Sequence, residues 1–270
     1  RIADKMKLGI PEEIQRIIGK ETYCLDKVGM SGSEVRIYDN HVLKIEPQNE
    51  ETDNAYAITK WLNQQLPVPT MLAYCVKNGM AYTLMSKMGG KMLCAREYLK
   101  EPEQLIKIAA QGLKCLWEID VTECPYQSSR LMKRLEAAEY NVMHDLVDLD
   151  NVEPETFGPN GFQNPEELLK WLKSNRPEED IVFTHGDYCL PNIFVTGSKI
   201  NGFIDIGKMG PADRWQDVAI AIRSLTANFA GRYFDGKKIC DFIPQMFLDE
   251  LGIDYNGEKY RYYLLLDELF

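Results

Sequence analysis

Apolar and polar positions follow two different periods along the chain, and the change of period divides it into two parts. The first part contains short strand-like runs at 21–28, 34–39, 41–46, 71–76 and 81–85. In the second part apolar residues recur every three or four positions, as they do on one face of a helix. Strands followed by helices predict an α+β architecture with two lobes.

The same patterns place the helices. The first part is expected to hold two, at 11–20 and 50–66, and the second of them stops before Pro67 because proline cannot continue a helix. Asn164 followed by Pro165 and two glutamates is a favourable helix start. Helices are predicted in the second part at 102–119, 128–149, 165–174, 212–228, 241–251 and 258–270.

A glycine-containing segment, Ser86-Lys87-Met88-Gly89-Gly90, separates the two parts and is typical of a linker. We therefore predict a β-rich N-terminal lobe over 1–88 and a mostly helical C-terminal lobe over 89–270. A crevice between two lobes is where a nucleotide would bind.

Length and composition agree with two lobes. The chain has 270 residues, of which 45% are hydrophobic, enough to bury two cores. The sequence has no apolar stretch of about twenty residues and no signal-like start, so we expect a soluble, cytoplasmic protein with no membrane partner. Its seven cysteines are scattered without C-x-x-C spacing, which favours reduced thiols over disulfides or a zinc site.

The charge balance bears on the class of partner. The formal net charge is −10, which argues against nucleic acid as a partner because binding to a phosphate backbone requires a basic surface. An acidic protein can instead receive a cationic ligand, although acidity also serves solubility alone.

The candidate chemistry lies in 181–217. The apolar run Ile181-Val182-Phe183 leads into His185-Gly186-Asp187, and Asn192 follows at the D-x-x-x-x-N spacing of protein kinases. A predicted hairpin then ends on Asp205. Amide and carboxylate oxygens suit Mg²⁺, which takes few protein ligands and completes its shell with substrate phosphates. The segment therefore predicts a magnesium-dependent phosphoryl-transfer site built on Asp187, Asn192 and Asp205.

Two features of the first part fit a nucleotide. The segment Gly29-Met30-Ser31-Gly32-Ser33 lies between strand-like runs and could cover phosphates with its backbone N–H groups, although an ordinary hairpin loop has the same composition. Lys44 lies in the third predicted strand, where kinases carry the lysine that pairs with the α- and β-phosphates.

At this point the chain resembles the aminoglycoside 3'-phosphotransferases, also called kanamycin kinases, whose fold is similar to that of protein kinases. The resemblance covers nearly the whole chain. It is strongest in four segments: Thr184–Asn192, Gly202–Gly207, Ala212–Asp217 and Leu265–Phe270.

The resemblance implies a role for each matched residue of the phosphoryl-transfer site. Asp187 would orient the acceptor hydroxyl or accept its proton. The other implied assignments are Asn192 and Asp205 for Mg²⁺, Lys44 for the α/β-phosphates, Met30 and Ser31 for a phosphate, Val42 for packing on the base, and Met85, Ser86 and Lys87 for the hinge that reads adenine. The nucleotide would be ATP, with GTP as a possibility.

The resemblance also implies an acceptor. An acidic insert at about 145–160 and the C-terminus would meet the ammonium groups of an aminoglycoside. The implied acceptor-site residues are Asp150, Glu155, Lys208, Arg223, Asp267, Glu268 and Phe270. The predicted reaction transfers a γ-phosphate to the 3'-hydroxyl of aminoglycosides and confers resistance.

The sequence departs from the family pattern at four places. Ala55 stands where the family has the glutamate that pairs with the nucleotide lysine, so either Glu51 or Asp53 replaces it or the pair is missing. Val42 replaces an aromatic residue over the base, Lys208 an arginine, and Ala227-Asn228 an acidic position. Two alternatives stay open: a kinase of choline, a sugar or another small alcohol, and a nucleotide-binding protein with little catalysis.

Overall fold

A computed structural model describes residues 9–26 and 33–270. Its first part holds a five-stranded antiparallel sheet in the order β1-β2-β3-β5-β4. The elements are α1 (Glu12–Ile18), β1 (Cys24–Leu25), β2 (Glu34–Ile37), β3 (His41–Pro47), α2 (Glu50–Leu62), β4 (Met71–Lys77) and β5 (Met80–Ser86).

The central strand β3 has two different faces because successive side chains of a strand point in opposite directions. Leu43 and Ile45 are buried and form a small core with Ile14 and Ile18 of α1. The opposite face of β3 therefore carries the even-numbered residues, among them Lys44.

Helix α2 joins the sheet to the second part. Its N-terminus is closed by a capping box between Asn49 and Thr52, in which each side chain bonds the other's backbone N–H. Buried Asn54 donates from its amide to the carbonyls of Gly207 and Met209, at 2.8 and 3.1 Å. This helix is therefore fixed to the segment that follows Asp205.

The second part is mostly helical, with two small sheets that pair β10 with β7 and order three strands as β6-β8-β9. Its strands are β6 (Lys91–Met92), β7 (Ile181–Thr184), β8 (Ile193–Thr196), β9 (Lys199–Phe203) and β10 (Gly210–Asp213). Its helices are α3 (Arg96–Leu99), α4 (Pro102–Trp117), α5 (Leu131–Met143), α6 (Pro165–Ser174), α7 (Arg214–Phe229), α8 (Pro244–Leu251) and α9 (Gly257–Asp267).

These elements confirm the predicted α+β fold class, with differences at element ends. Helix α2 ends at Leu62 rather than at residue 66, because Asn63 adopts the left-handed conformation. Helix α5 covers only part of 128–149 and stops before Asp145, which is also left-handed at φ 53°. The short elements β6, α3 and β10 were not predicted.

The predicted lobe boundary follows the end of the first sheet. That sheet ends at Ser86, whereas β6 pairs with β8 of the second part. The division at residue 88 itself stays a prediction. Within the described ranges no helix has the length and apolar character needed to cross a membrane.

Candidate active site

The His-Gly-Asp segment is a turn fixed by one buried carboxylate. Asp217 of α7 accepts the backbone N–H groups of His185 and Gly186, at 2.6 and 2.9 Å. Gly186 has φ +86°, and a Cβ there would lie 2.5 Å from the Cβ of Lys208, so the turn requires glycine. Asp217 thereby sets the direction in which Asp187 leaves the turn.

Asp187 and Asn192 are brought together by the loop between them. The Asn192 amide nitrogen donates to the backbone carbonyl of Asp187 at 2.9 Å and to its Oδ2 at 3.2 Å. A 3₁₀ turn over Leu190–Asn192 gives the loop this shape. Asp187 is half-buried and Asn192 is buried.

The hairpin of β8 and β9 brings Asp205 to the same place. The N–H of Ile204 donates to the carbonyl of Asn192 at 3.0 Å. The Nε2–H of His185 donates to the carbonyl of Ile204 at 2.9 Å. Asp205 itself has φ +58°, a conformation uncommon outside glycine. The three residues predicted from sequence therefore converge.

The donor set has the chemistry that Mg²⁺ requires. Because both hydrogen bonds of the Asn192 side chain start from its Nδ2, its amide oxygen is the atom left for a cation. Among the residues that the structure describes, no cluster of three or more His, Cys, Asp or Glu side chains could hold a metal. A Mg²⁺ held by one amide and one carboxylate would take its other ligands from phosphates and water.

Lys44 contacts this group from the other part of the chain. Its Nζ lies 3.1 Å from Asp205 Oδ1 and 3.1 Å from Glu46 Oε1. Burial would lower the pKa of Lys44, but the charges of Asp205 and Glu46 outweigh it and raise that pKa. Burial would likewise raise the pKa of Asp205, yet Lys44, His185 and Lys208 bring it below the usual range. Both groups are therefore charged at neutral pH.

Several of the predicted nucleotide residues lie on the strand pair of β3 and β5 or directly after it. Val42 and Met85 are direct partners across β3 and β5, on the face that carries Lys44. The N–H of Ser86 donates to Thr70 and that of Lys87 to Asn40, at 2.9 and 3.0 Å. These two N–H groups are thus engaged within the protein.

Met30 and Ser31 lie outside the described residues.

On the acceptor side, Asp267 is held by two arginines. Arg223 donates to it at 2.6 Å, and Arg134 lies 3.7 Å away and also covers the ring of Phe270. Burial would raise the pKa of Asp267, but these two guanidinium groups bring it below its usual value. Arg223, predicted as an acceptor-site residue, therefore has a clear place as the partner of Asp267.

Glu268 ties the acidic insert to the C-terminal helix. Its carboxylate accepts the N–H of Glu153 at 3.1 Å and the hydroxyl of Thr156 at 3.2 Å. Asp150 and Glu155 are exposed on the same insert. Hydrogen bonds thus join the insert to the end of the C-terminal helix, and Asp150 and Glu155 are among the exposed carboxylates of the insert.

Lys208 lies beside the His-Gly-Asp turn, where its carbonyl accepts the Ser129 hydroxyl at 2.6 Å. It lines a cavity of about 660 Å³ together with Gly186 and Phe270. Ala227 and Asn228 are buried, so the position that is acidic in some relatives faces the protein interior here.

Sequence reasoning missed three residues of this site. Glu46 contacts Lys44, and Arg134 contacts Asp267. Asp217 holds the turn that precedes Asp187. For Glu46 the available signal was its i+2 spacing from Lys44 in a strand, which places both on one face. The sequence contains no comparable local signal for the other two pairings.

Comparison with known proteins identifies the chain. The profile of a phosphotransferase enzyme family, APH, matches residues 25–244. The chain belongs to this phosphotransferase family. It is 36% identical over 282 residues to an aminoglycoside 3'-phosphotransferase of Enterococcus faecalis, covering 98% of this chain and 99% of that protein. The predicted family, and with it an enzyme of the kinase type, is confirmed.

Solved structures of the family share the fold. The crystal structure of an aminoglycoside-3'-phosphotransferase of type VIII has a TM-score of 0.76 at 24% identity, covering 96% of this chain and 98% of that one. Aminoglycoside phosphotransferase APH(3'')-Id from Streptomyces rimosus, in complex with ADP and streptomycin, has a TM-score of 0.75 at 22% identity, covering 95% and 96%. The protein-kinase-like fold is thereby confirmed.

Proposed function

We propose that this phosphotransferase moves the γ-phosphate of ATP, or of GTP, to the 3'-hydroxyl of aminoglycosides such as kanamycin, and so confers resistance. The observation that carries the proposal is the convergence of Asp187, Asn192 and Asp205 beside Lys44. It agrees with relatives named aminoglycoside 3'-phosphotransferase and with a neighbour solved with ADP and streptomycin.

Each residue then has a distinct task. Lys44 holds the α/β-phosphates, with Val42 and Met85 packing on the base. Asn192 and Asp205 hold Mg²⁺, which supplies charge neutralisation for the transferring phosphoryl group. Asp187 orients the acceptor hydroxyl and accepts its proton, which requires no covalent intermediate on the protein. Positioning and electrostatic stabilisation account for the rate.

The acceptor is proposed from charge. Asp150, Glu155 and Glu268 lie on the insert and the C-terminal helix, and the chain carries a net charge of −10. Carboxylates at the mouth of a cleft attract a polycation and orient its ammonium groups by charge-assisted hydrogen bonds. Asp267 contributes indirectly, since its carboxylate is already matched by Arg223.

The test is an ADP-release assay with Mg²⁺ and ATP, using kanamycin, neomycin and choline as acceptors. Turnover is expected with the aminoglycosides and not with choline. The matched control is Asp187→Ala, which should lower kcat roughly 10²- to 10⁴-fold while ATP still binds. Turnover with choline alone would replace the proposed acceptor, and an unchanged rate in Asp187→Ala would remove Asp187 from the mechanism.

A further inference from the structure

One face of strand β3 carries three residues in a row toward the cleft. Val42, Lys44 and Glu46 alternate with Leu43 and Ile45, which are buried against α1. Residues two apart in a strand point to the same side, so the side chains of Lys44 and Glu46 can meet along it. They do meet, with Nζ and Oε1 3.1 Å apart.

The two carboxylates that Lys44 contacts differ in side-chain exposure. The side chains of Lys44 and Glu46 are 22% and 20% exposed, whereas that of Asp205 is 50% exposed. Within residues 9–26 and 33–270, these two carboxylates are the ion-pair partners of Lys44. Asp205 has the larger effect on the pKa of Lys44 and Glu46 the next largest, so both carboxylates stabilise the charged ammonium group.

The acidic residues of helix α2 are directed elsewhere. Glu50 accepts a hydrogen bond from Ser128, and Asp53 accepts from Tyr74 at 2.5 Å and from Gln48 at 3.2 Å. The backbone of Glu51 packs against Gly207, and Glu51 is one of the residues that line the cavity beside the turn. Among the described residues neither Glu51 nor Asp53 is an ion-pair partner of Lys44, which agrees with the alternative that helix α2 supplies no such pair.

Ala55 packs against the hydrophobic core and has no polar group to offer.

We propose that Glu46 is the positioning residue for Lys44 in this enzyme, and that it supplies from strand β3 the carboxylate that helix α2 lacks. The inference rests on the proposed function in that Lys44 is taken to hold nucleotide phosphates. When Asp205 serves as a metal ligand, Glu46 is the carboxylate that keeps Lys44 extended along the strand toward the phosphates. Without Glu46, the ammonium group of Lys44 shifts toward Asp205 and competes with the metal ion for the carboxylate oxygen of Asp205.

The test compares Glu46→Gln with Glu34→Gln. Glu34 pairs with Arg36 two residues along β2, and both side chains are about as shielded as Lys44 and Glu46. Because Glu34 and Arg36 stand opposite Ile45 and Leu43, that pair lies on the face of the sheet turned away from Lys44. The control therefore removes an equivalent ion pair from the same sheet without touching the site.

Three quantities are measured for each variant: the dissociation constant of ATP by calorimetry, the KM values for ATP and kanamycin, and the melting temperature. Glu46→Gln should raise both the dissociation constant and the KM for ATP roughly 10-fold, as expected for the loss of a hydrogen bond between charged groups. The KM for kanamycin and the values for Glu34→Gln should stay near wild type. ATP constants within twofold of wild type in Glu46→Gln would overturn the proposal.

Combining Glu46→Gln with Lys44→Met separates an effect on the position of Lys44 from an effect on folding. If Glu46 acts through Lys44, Glu46→Gln should add nothing to the loss of ATP affinity in Lys44→Met. A further loss as large as that in the single variant would also overturn the proposal. Since ATP binding needs no acceptor, these results are independent of whether wild type phosphorylates kanamycin. Failure of that turnover would count against the proposed function alone.

Discussion

Asp217 controls the position of Asp187 through the backbone of the turn that precedes it. It is fully buried and accepts the two N–H groups that precede Asp187 in the turn. Burial raises its pKa to about 6, although the His185 side chain and the two N–H donors act in the opposite direction. The ionised form, which accepts both bonds, is therefore lost in mildly acidic solution.

This gives a pH prediction at the scale of one residue. Because the folded-state pKa lies above the ordinary 3.8, stability from this group is full below the ordinary value and declines as pH rises through about 6. Activity should change in the other direction, because protonation below pH 6 weakens the turn. We expect kcat to fall below pH 6. Protonation of Asp217 should not lower the melting temperature over the same range.

The variant Asp217→Asn tests the assignment. An amide offers one acceptor oxygen, so one N–H of the turn would lose its partner, and kcat should drop roughly 10-fold or more at neutral pH. The acid limb of the kcat profile near pH 6 should also flatten. A profile identical to wild type, measured from pH 5 to 8, would show that another group controls the limb.

At the scale of elements, the C-terminal helix α9 is anchored at its first turns by a buried carboxylate. Asp213 at the end of β10 accepts from Lys259 at 2.6 Å and from Tyr263 at 2.9 Å. The same helix carries Asp267 and Glu268 at its other end. Its attachment to β10 therefore fixes the acceptor side of the cleft.

Lys259→Met should leave Asp213 buried without its cation and lower the free energy of unfolding by about 3 kcal/mol. Lys173→Met is the matched control, because Lys173 pairs with Glu139 in an exposed position on α6, where an ion pair contributes little. Denaturant unfolding of both variants measures the difference. Equal losses in the two would mean that Asp213 does not depend on Lys259.

The elements also show what the sequence could and could not reveal. Hairpin β8–β9 and the D-x-x-x-x-N loop were predicted because spacing within one segment determines them. Strand β10 was missed because Gly210-Pro211 resembles a loop and gains its strand character from pairing with β7. The end of α5 depends on the left-handed Asp145, for which the apolar period gives no signal.

The candidate site divides in the same way. Asp187, Asn192 and Asp205 were predicted together because they lie within one short stretch. The pairing of Lys44 with Glu46 was not predicted because the family pattern directs attention to helix α2, whose Glu50 and Asp53 carboxylates instead accept from Ser128 and Tyr74. The spacing of residues along the sequence does not show how a helix is oriented in the folded protein.

At the scale of the whole molecule, the negative charge becomes relevant to substrate capture. The chain has 41 Asp and Glu residues against 31 Lys and Arg residues. If the exposed carboxylates Asp150 and Glu155 attract a polycationic acceptor, salt should weaken that attraction by screening. We expect the KM for kanamycin to rise several-fold as NaCl is added, while a neutral osmolyte leaves it unchanged.

Variants locate this effect. Asp150→Asn and Glu155→Gln should raise the KM for kanamycin at low salt and reduce its salt dependence. Glu97→Gln, an exposed carboxylate paired with Lys91 far along the chain from the insert, should change neither. A KM that is independent of salt in wild type would remove the electrostatic part of acceptor binding.

The central claim is the transfer of phosphate to one hydroxyl of one class of acceptor. The most direct measurement incubates the enzyme with ATP and Mg²⁺ and either kanamycin or an analogue lacking the 3'-hydroxyl, and follows the product by phosphorus NMR and mass spectrometry. We expect a single phosphate ester at the 3' position of kanamycin and no product from the analogue. Equal phosphorylation of both, or of neither, would contradict it.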